Sequence, residues 1–279
     1  MANPAEYVSS NVMQKRAVLM IVNEFVKNLK SISGTCMDVG CGPGNITSNI
    51  LLPALDPNAV MIGTDVSVAM IEYAKKAYCD NKRLEFEILD IQTKSLPEKY
   101  ISKFNHIFSF FTLHWCNEIR TAFENMYCML QPGGTIFILF PLSHDTFYNP
   151  LKNIARDARF APYFQNLEKR LSPLYDSVFP RENLKNLLES VGFNVQHCSL
   201  RELDFSDLLN TDTFLNSIMS ICNFIDAMPP ERQEEFKVEF LREHKNYIKI
   251  KLYDNKQCDK ERPILDVHKL LLAVAQKDM

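Results

Sequence analysis

The chain lacks several features that would assign it to whole classes of protein. Its 31 Lys and Arg are outnumbered by 34 Asp and Glu, so the net charge of −3 offers no basic surface and we expect no nucleic-acid partner. No apolar run approaches the roughly eighteen residues of a membrane span. The first residues have neither the basic nor the apolar region of a signal peptide, which predicts a cytoplasmic protein.

Disulfide and metal-binding patterns are missing as well. The eight cysteines are spread over predicted strands and helices, with no C-x-x-C pair and no Cys/His cluster at zinc spacing. We therefore expect reduced thiols and no metal. The 14 prolines and 8 glycines leave no low-complexity linker, which favours a single domain over residues 1–279. Nothing in the sequence determines the oligomeric state.

Three of the eight glycines lie within one octapeptide, Met-Asp-Val-Gly-Cys-Gly-Pro-Gly, at residues 37–44. Asp38, Gly40, Gly42 and Gly44 form a D-x-G-x-G-x-G pattern between an apolar segment and a helix-like one. Glycine has no Cβ and accepts positive φ, so such a loop lets the backbone approach a ligand closely. The position is that of the first strand-to-helix turn of a doubly wound α/β domain, where nucleotide-like cofactors bind.

Two common nucleotide-binding patterns do not fit this loop. A G-x-G-x-x-G fingerprint that begins at Gly40 would place Asn45 where a third glycine or alanine belongs. The Gly-Lys-Ser or Gly-Lys-Thr end of a P-loop is absent. The loop is instead similar to motif I of S-adenosylmethionine-dependent methyltransferases, whose cofactor carries an ammonium group that suits Asp38 and nearby carbonyls. An ordinary glycine turn is the alternative.

Acidic residues also follow the next two predicted strands. Residues 59–65 read as a short buried strand ending in Asp65, roughly twenty residues past the loop, where an acid accepts both ribose hydroxyls. A second strand, 84–89, is followed by Asp90 and Ile91. In the methyltransferases that this chain resembles, that corner holds adenine, which would place Asp90 on the exocyclic amine and the Ile91 backbone amide on the ring. Taken singly, each acid is more often a solvated strand end.

Apolar periodicity predicts strands that alternate with helices. This pattern favours a Rossmann-like α/β fold, with a mainly parallel seven-stranded sheet whose last strands form an antiparallel edge. The predicted helices cover residues 5–30, 46–52, 68–78 (capped by Ser67) and 118–130, a turn covers 131–134, and the strands cover 35–39, 59–65, 84–89, 105–112, 135–141, 194–205 and 265–276.

Two long segments, about 144–190 and 206–256, interrupt this minimal core. The first is rich in aromatic residues, and the second begins with a strongly apolar helix. Because both follow carboxyl ends of strands, we expect helical insertions that form a lid over the cofactor crevice and its acceptor. Simple packing of these helices onto the sheet is the alternative. Taken together, their apolar residues favour an apolar acceptor.

Hydrogen-bonding side chains for an acceptor occur at two places. After the fourth predicted strand stands Trp115, the only tryptophan, whose indole N–H is a donor without acceptor capacity. Its neighbour His114 is either a base or a packed loop histidine. On the amino-terminal helix, Tyr7, Asn11 and Gln14 share one face, either as further site residues or as a solvated polar stripe.

The chain resembles the juvenile hormone acid methyltransferase family over nearly its full length. The matching pieces are Tyr7 with residues 10–16, the glycine loop at 37–44, the run 108–115 and residues 191–193. The resemblance implies a class I fold, S-adenosyl-L-methionine as cofactor, and methyl ester formation on an apolar sesquiterpenoid acid, farnesoic acid or juvenile hormone acid, in juvenile hormone biosynthesis. It implies that Gln14 and Trp115 hold the substrate carboxylate.

Other functions stay open on the sequence. A class I methyltransferase acting on another small acid, a phenol or an amine would share every motif of the cofactor site. A binding protein with a degenerate site is disfavoured because the loop, Asp65 and Asp90 are intact. A nucleic-acid methyltransferase is disfavoured by the acidic balance and by residues 112–115, Thr-Leu-His-Trp, which lack the Asn/Asp-Pro-Pro-Tyr ending used for base amines.

Overall fold

The computed structural model describes residues 3–143, 145–164, 167, 171–206, 215, 219, 225–247, 249–250 and 264–279. Its strands are β1 (Thr35–Val39), β2 (Val60–Asp65), β3 (Leu84–Ile88), β4 (Phe104–Phe110), β5 (Leu130–Ser143), β6 (Phe193–Asp204), β7 (Lys249–Ile250), β8 (Ile264–Leu265) and β9 (Val267–Lys277). Seven of them form one sheet in the order β3-β2-β1-β4-β5-β9-β6, and β7 and β8 form a separate antiparallel pair.

The direction of the strands confirms the expected α/β class. Strands β1 to β5 pair in parallel, whereas β9 runs antiparallel to both of its neighbours, β5 and β6. The chain reverses its order at β1, with β2 on one side and β4 on the other. The crevice at such a switch point is where α/β sheets bind ligands, and the glycine loop follows β1 directly.

Helices cover both faces of the sheet. They are α1 (Pro4–Ser10), α2 (Val12–Glu24), α3 (Val26–Leu29), α4 (Leu52–Ala54), α5 (Val68–Ala77), α6 (Ile119–Met129), α7 (Asp145–Ile154), α8 (Pro180–Val191) and α9 (Pro230–Tyr247). A π-helical turn, Thr47–Leu51, precedes α4. Buried residues of α6 and α8 belong to one apolar cluster, and those of α2 and α5 belong to another. Ser67 caps α5 as predicted, since its hydroxyl accepts a hydrogen bond from the Met70 N–H.

The prediction of one continuous amino-terminal helix over residues 5–30 is wrong. The structure divides it into α1, α2 and α3, with breaks at Asn11 and Phe25. Asn11 has φ −80° and ψ 38°, outside helical geometry, and its backbone N–H still closes the turn of α1 on the Tyr7 carbonyl. Periodicity alone does not reveal this break, because the residues on both sides keep the helical pattern.

The predicted turn at residues 131–134 is also corrected, because β5 begins at Leu130 and includes it. The pairing of β4 with β5 is irregular here: β5 advances from Leu130 to Thr135 while β4 advances only from Phe104 to His106. Gly133 has φ +76°, a conformation that glycine adopts without strain. The segment therefore bulges within the strand instead of ending it.

The two inserted segments pack together through α7 and α9. Their buried aromatic residues form a third apolar cluster, which includes Phe147, Tyr148, Phe160, Phe164, Phe236 and Phe240. These side chains therefore stabilise the inserted helices themselves. Most of the strongly apolar helix expected after residue 206 lies outside the described residues.

The helices and the possible metal ligands of the described residues were compared with what a membrane span and a metal site require. Within the part of the chain that the structure describes, no helix combines the length and apolarity needed to cross a bilayer. Among the same residues, no group of three His, Cys, Asp or Glu side chains is arranged to hold a metal ion. Six cysteines within the described ranges are free thiols, of which Cys36, Cys41 and Cys116 are buried.

Candidate cofactor and acceptor site

Each glycine of the loop after β1 adopts positive φ, but for different structural reasons. Gly40, at φ +75°, faces Thr112, and a Cβ on Gly40 would lie 2.0 Å from its Oγ1. Gly44, at φ +79°, faces Phe86, and a Cβ there would lie 2.6 Å from its Cζ. These two glycines are required by packing against β4 and β3.

Gly42 is the glycine that leaves room for a ligand. Its φ is +55°, and a Cβ would meet only Cε1 of Tyr7 at 3.9 Å. The backbone N–H of Gly42 donates to Asp65 Oδ2 at 3.0 Å. The N–H groups of Gly40 and Cys41 both donate to the Thr64 carbonyl, at 2.7 and 2.9 Å. The loop is thus held by the end of β2 and exposes backbone to open space at Gly42.

Asp38 lies in β1 with its carboxylate almost fully buried, at 3% exposure. The Thr47 hydroxyl donates to its Oδ2 at 2.5 Å. Burial raises the pKa of Asp38 to about 7, against the Thr47 hydrogen bond, and the nearby Asp65 carboxylate adds to the rise. A buried carboxylate of this kind is stabilised by a neighbouring cation. It therefore fits the ammonium group of S-adenosylmethionine.

Asp65 is the last residue of β2 and is 5% exposed. Its Oδ1 accepts a hydrogen bond from the Ser67 N–H at 2.8 Å, while its Oδ2 holds Gly42. Burial raises the pKa of Asp65, and the backbone hydrogen bonds oppose that rise. A carboxylate has about four lone-pair sites, so Asp65 keeps acceptor capacity beyond these backbone hydrogen bonds. Sequence reasoning found this acid but missed that it also shapes the loop.

The predicted adenine corner lies at the same edge of the sheet. Asp90 is exposed beyond the end of β3, and its Oδ1 accepts from the Gln92 N–H at 2.9 Å. Ile91 is buried, and its carbonyl accepts from the Asn125 side chain at 2.7 Å. The Leu89 N–H donates to the Asp65 carbonyl at 3.1 Å, which joins this corner to the end of β2.

A cleft opens beside the glycine loop. Its walls come from three separate parts of the chain, namely Tyr7 of α1, the loop region Asp38, Gly40, Cys41, Gly42, Asn45 and Ile46, and Phe110 and Phe111 at the end of β4. Of the predicted cofactor residues, Asp38, Gly40 and Gly42 line this cleft, whereas Gly44, Asp65, Asp90 and Ile91 do not.

Phe111 has a strained backbone at the wall of the cleft. Its φ is +56°, a value uncommon for a residue with a bulky side chain. The Phe111 N–H donates to the Leu139 carbonyl at 2.8 Å, and the following Thr112 hydroxyl donates to the Gly40 carbonyl at 3.1 Å. Such strain persists where neighbouring contacts enforce it, often at functional sites. No sequence pattern indicated it.

Asn11 and Asn45 form a buried pair that connects the amino-terminal helices to the loop. They are 1% and 4% exposed, and each side-chain NH₂ donates to the other's oxygen, at 3.3 and 3.4 Å. Tyr7, one turn before Asn11, has its pKa raised to about 12 by burial and by the Asp65 carboxylate. Sequence reasoning placed Tyr7 and Asn11 on one face but assigned Asn45 no role.

Two residues of the segments predicted to bind the methyl acceptor each have a buried polar atom without a hydrogen-bond partner. Among the described residues, three buried side-chain nitrogen or oxygen atoms lack a hydrogen-bond partner: Gln14 Oε1, His114 Nδ1 and Ser172 Oγ. Unpaired buried polar groups are rare and require an explanation, of which a missing ligand is one. Two of the three belong to segments that the sequence singled out for the acceptor.

His114 and Trp115 lie on a short 3₁₀ turn, Leu113–Trp115, that follows β4. His114 is 7% exposed, and burial lowers its pKa to about 3. Trp115 is 37% exposed, and the two ring centroids are 4.6 Å apart. The histidine is therefore neutral at physiological pH.

Comparison with known proteins identifies relatives of this chain by sequence and by fold. A family described as "Methyltransferase domain" matches residues 37–136. The chain is 30% identical to juvenile hormone acid O-methyltransferase of Drosophila melanogaster over 97% of its own length and 91% of the relative's. It is 28% identical to the Bombyx mori protein of the same name, over 86% and 85% of the two chains. The YcgJ protein of Bacillus subtilis superposes with a TM-score of 0.57 at 15% identity, covering 92% of this chain and 98% of that one, which shows a shared fold.

Proposed function

We propose that this chain, which belongs to the juvenile hormone acid O-methyltransferase family, transfers a methyl group to the carboxylate of an apolar sesquiterpenoid acid, farnesoic acid or juvenile hormone acid. The chain is an S-adenosylmethionine-dependent O-methyltransferase. The proposal concerns its acceptor and the residues that bind it. A role in juvenile hormone biosynthesis follows from that acceptor.

Two relatives named juvenile hormone acid O-methyltransferase support a carboxylic acid as acceptor, and the state of His114 agrees with it. A phenol or an amine must lose a proton during methyl transfer, which favours a base with a pKa near the working pH. Burial lowers the pKa of His114 to about 3, which makes it a weak base. A carboxylic acid is already ionised at neutral pH and needs no base. The neutral histidine beside Trp115 therefore favours an acid as acceptor.

We assign the carboxylate to the side chains of Gln14 and Trp115. A carboxylate offers only acceptors, so both partners must donate. Rotation of the Gln14 amide exchanges its oxygen and its NH₂, so the buried position that now lacks a partner can present a donor. The Trp115 indole provides an N–H and nothing that would repel an anion.

The cofactor site is assigned to the residues around the glycine loop. Bound S-adenosylmethionine supplies a sulfonium-activated methyl group for in-line displacement by the acceptor oxygen. Asp38 would bind its ammonium group, Asp65 its ribose, and Asp90 with the Ile91 backbone its adenine. Phe110 and Phe111 line the cleft. Apolar walls of this kind would help to exclude water, which would strengthen the hydrogen bonds that orient the acceptor.

We further propose that the insertions at about 144–190 and 206–256 form the acceptor lid. A buried polar cluster joins α7 to the end of the sheet next to β9: the Thr146 hydroxyl donates to Asp266 Oδ1 at 2.8 Å, and His268 Nε2 lies 2.9 Å from Asp266 Oδ2. His244 of α9 is hydrogen-bonded through Nδ1 to the Thr146 carbonyl at 2.8 Å.

The free buried thiols of the core suit a reducing compartment, which supports a cytoplasmic location.

Mass spectrometry of the purified protein with S-adenosylmethionine and a panel of acceptors tests the proposal. The panel contains farnesoic acid, juvenile hormone acid, a linear fatty acid of similar length, farnesol, and a phenol and an amine with apolar tails. We expect the mass of one added methylene on the sesquiterpenoid acids. Methylation of the phenol or the amine alone would favour the other class I activities instead.

Variants of the two donors test the binding mode. Gln14→Ala should lower turnover strongly while leaving the Kd of S-adenosylmethionine nearly unchanged, and Trp115→Phe should act in the same direction by removing one N–H. Gln131→Ala is the matched control, since its amide accepts from Asn105 at 3.0 Å beside the β4–β5 bulge. Equal losses of turnover and of cofactor affinity in Gln14→Ala would mean that the residue is structural.

A further inference from the structure

The buried Asn11–Asn45 pair joins two segments that are 34 residues apart. Asn11 stands at the break between α1 and α2, and Asn45 lies at the wall of the cleft directly after Gly44. Each asparagine side chain carries an NH₂ group that donates and an oxygen that accepts, so the two amides pair through two hydrogen bonds, one in each direction. An apolar residue at either position would leave the other amide buried without this partner.

The pair determines where α1 lies relative to the loop. The backbone N–H of Asn11 donates to the Tyr7 carbonyl at 2.9 Å. The end of α1 is therefore closed by Asn11, whose side chain is paired with Asn45 of the loop. Tyr7 then stands over Gly42, the glycine with open space, at 3.9 Å from a Cβ placed there. The next helix, α2, starts from the same point and carries Gln14 one turn later.

We infer that the Asn11–Asn45 pair is a positioning device that holds Tyr7 across the cofactor cleft and sets Gln14 at the acceptor side. This inference rests on the proposed function, because it assigns the cleft to S-adenosylmethionine. Asn11 and Asn45 act through Tyr7 and Gln14, and we call them positioning residues. Binding of the cofactor under Tyr7 stabilises α1, and α2 is fixed by the same pair of amides.

Cofactor titration of single and double variants tests the pair without any acceptor. Asn11→Ala, Asn45→Ala and the double variant are titrated with S-adenosylmethionine and with S-adenosylhomocysteine by calorimetry, and Trp115 fluorescence follows the same titrations. We expect each single variant, which removes both hydrogen bonds of the pair, to raise Kd by about tenfold. The double variant should be no worse than the singles, because either substitution already breaks the pair. Gln131→Ala, which breaks an amide contact of the same chemistry elsewhere, should leave Kd unchanged.

Two results would overturn the inference. Additive losses of affinity in the double variant would mean that each asparagine acts independently, for instance through its own contact with the cofactor. An unchanged Kd in both single variants would mean that the pair only supports the fold, which urea unfolding of the same variants would register.

Hydrogen exchange on the unaltered protein gives a test that needs no variant. Amides of residues 4–16 should exchange more slowly once S-adenosylhomocysteine is bound, and equal exchange with and without it would refute the inference. Neither measurement uses an acceptor. An unchanged Kd in the asparagine variants, or unchanged hydrogen exchange, therefore counts against this inference. Failure of the acid panel counts against the proposed acceptor.

Discussion

Replacing Asp38 by Asn should make the protein without cofactor more stable and the binding of cofactor weaker. The carboxylate is 3% exposed, and burial raises its pKa from 3.8 to about 7. A difference of roughly three units corresponds to about 4 kcal/mol. That is a large share of the 5–15 kcal/mol by which a typical domain is stable.

The effect depends on pH with a defined sign. Between about pH 4 and pH 7 the buried carboxyl of Asp38 keeps its proton while the unfolded chain has lost it, so the free energy of unfolding falls as pH rises, and the loss is complete above pH 7. Asparagine does not titrate and still accepts from Thr47 through its oxygen. The stability of Asp38→Asn relative to the unaltered protein should therefore rise by about 1.4 kcal/mol per pH unit in this window and then level off.

Urea unfolding without cofactor, repeated from about pH 4 to about pH 8, measures this difference. Asp80→Asn, which removes an exposed acid, controls for the change in net charge. Calorimetry at about pH 8 should show weaker binding of S-adenosylmethionine to Asp38→Asn, because the ionised carboxylate is what attracts the ammonium group. Stability curves that stay parallel through the acidic range, or unchanged cofactor affinity, would refute the reasoning.

Three further predictions follow from single sites. Gly42→Ala should weaken cofactor binding and cost only about 1 kcal/mol of stability through its positive φ. Gly44→Ala should lower the urea midpoint markedly, because its Cβ would clash with a buried ring. A larger loss of stability in Gly42→Ala than in Gly44→Ala would contradict the assignment. Turnover at saturating substrates should stay flat between about pH 6.5 and 9 in the unaltered protein and in His114→Gln, since the pKa of His114 is about 3; a rise centred near pH 6.5 would restore the histidine as a base. Thr146→Val should reduce stability by about 2 kcal/mol, because the hydroxyl donates to the buried Asp266 carboxylate. Urea unfolding that shows no loss would contradict this anchor of the proposed lid.

The sequence determined the parts of this protein that depend on neighbours along the chain. Alternating apolar patterns predicted the strands and a mainly parallel sheet with an antiparallel edge, since parallel strands joined by helices admit few topologies. The glycine loop and three acids at or near the ends of β1, β2 and β3, namely Asp38, Asp65 and Asp90, were predicted from their places along the chain. The family motifs then assigned Gln14 and Trp115 to the acceptor.

Tertiary structure decided what depends on distant contacts. Sequence cannot distinguish Gly42, which faces open space, from Gly44, which faces Phe86, because the difference arises from another strand. The break between α1 and α2 lies at Asn11, whose side chain is paired with Asn45, 34 residues further along the chain. The pKa values of Asp38 and His114 follow from burial, which exists only once the chain has folded. Periodicity thus determined the elements, and packing between them determined the chemistry of the site.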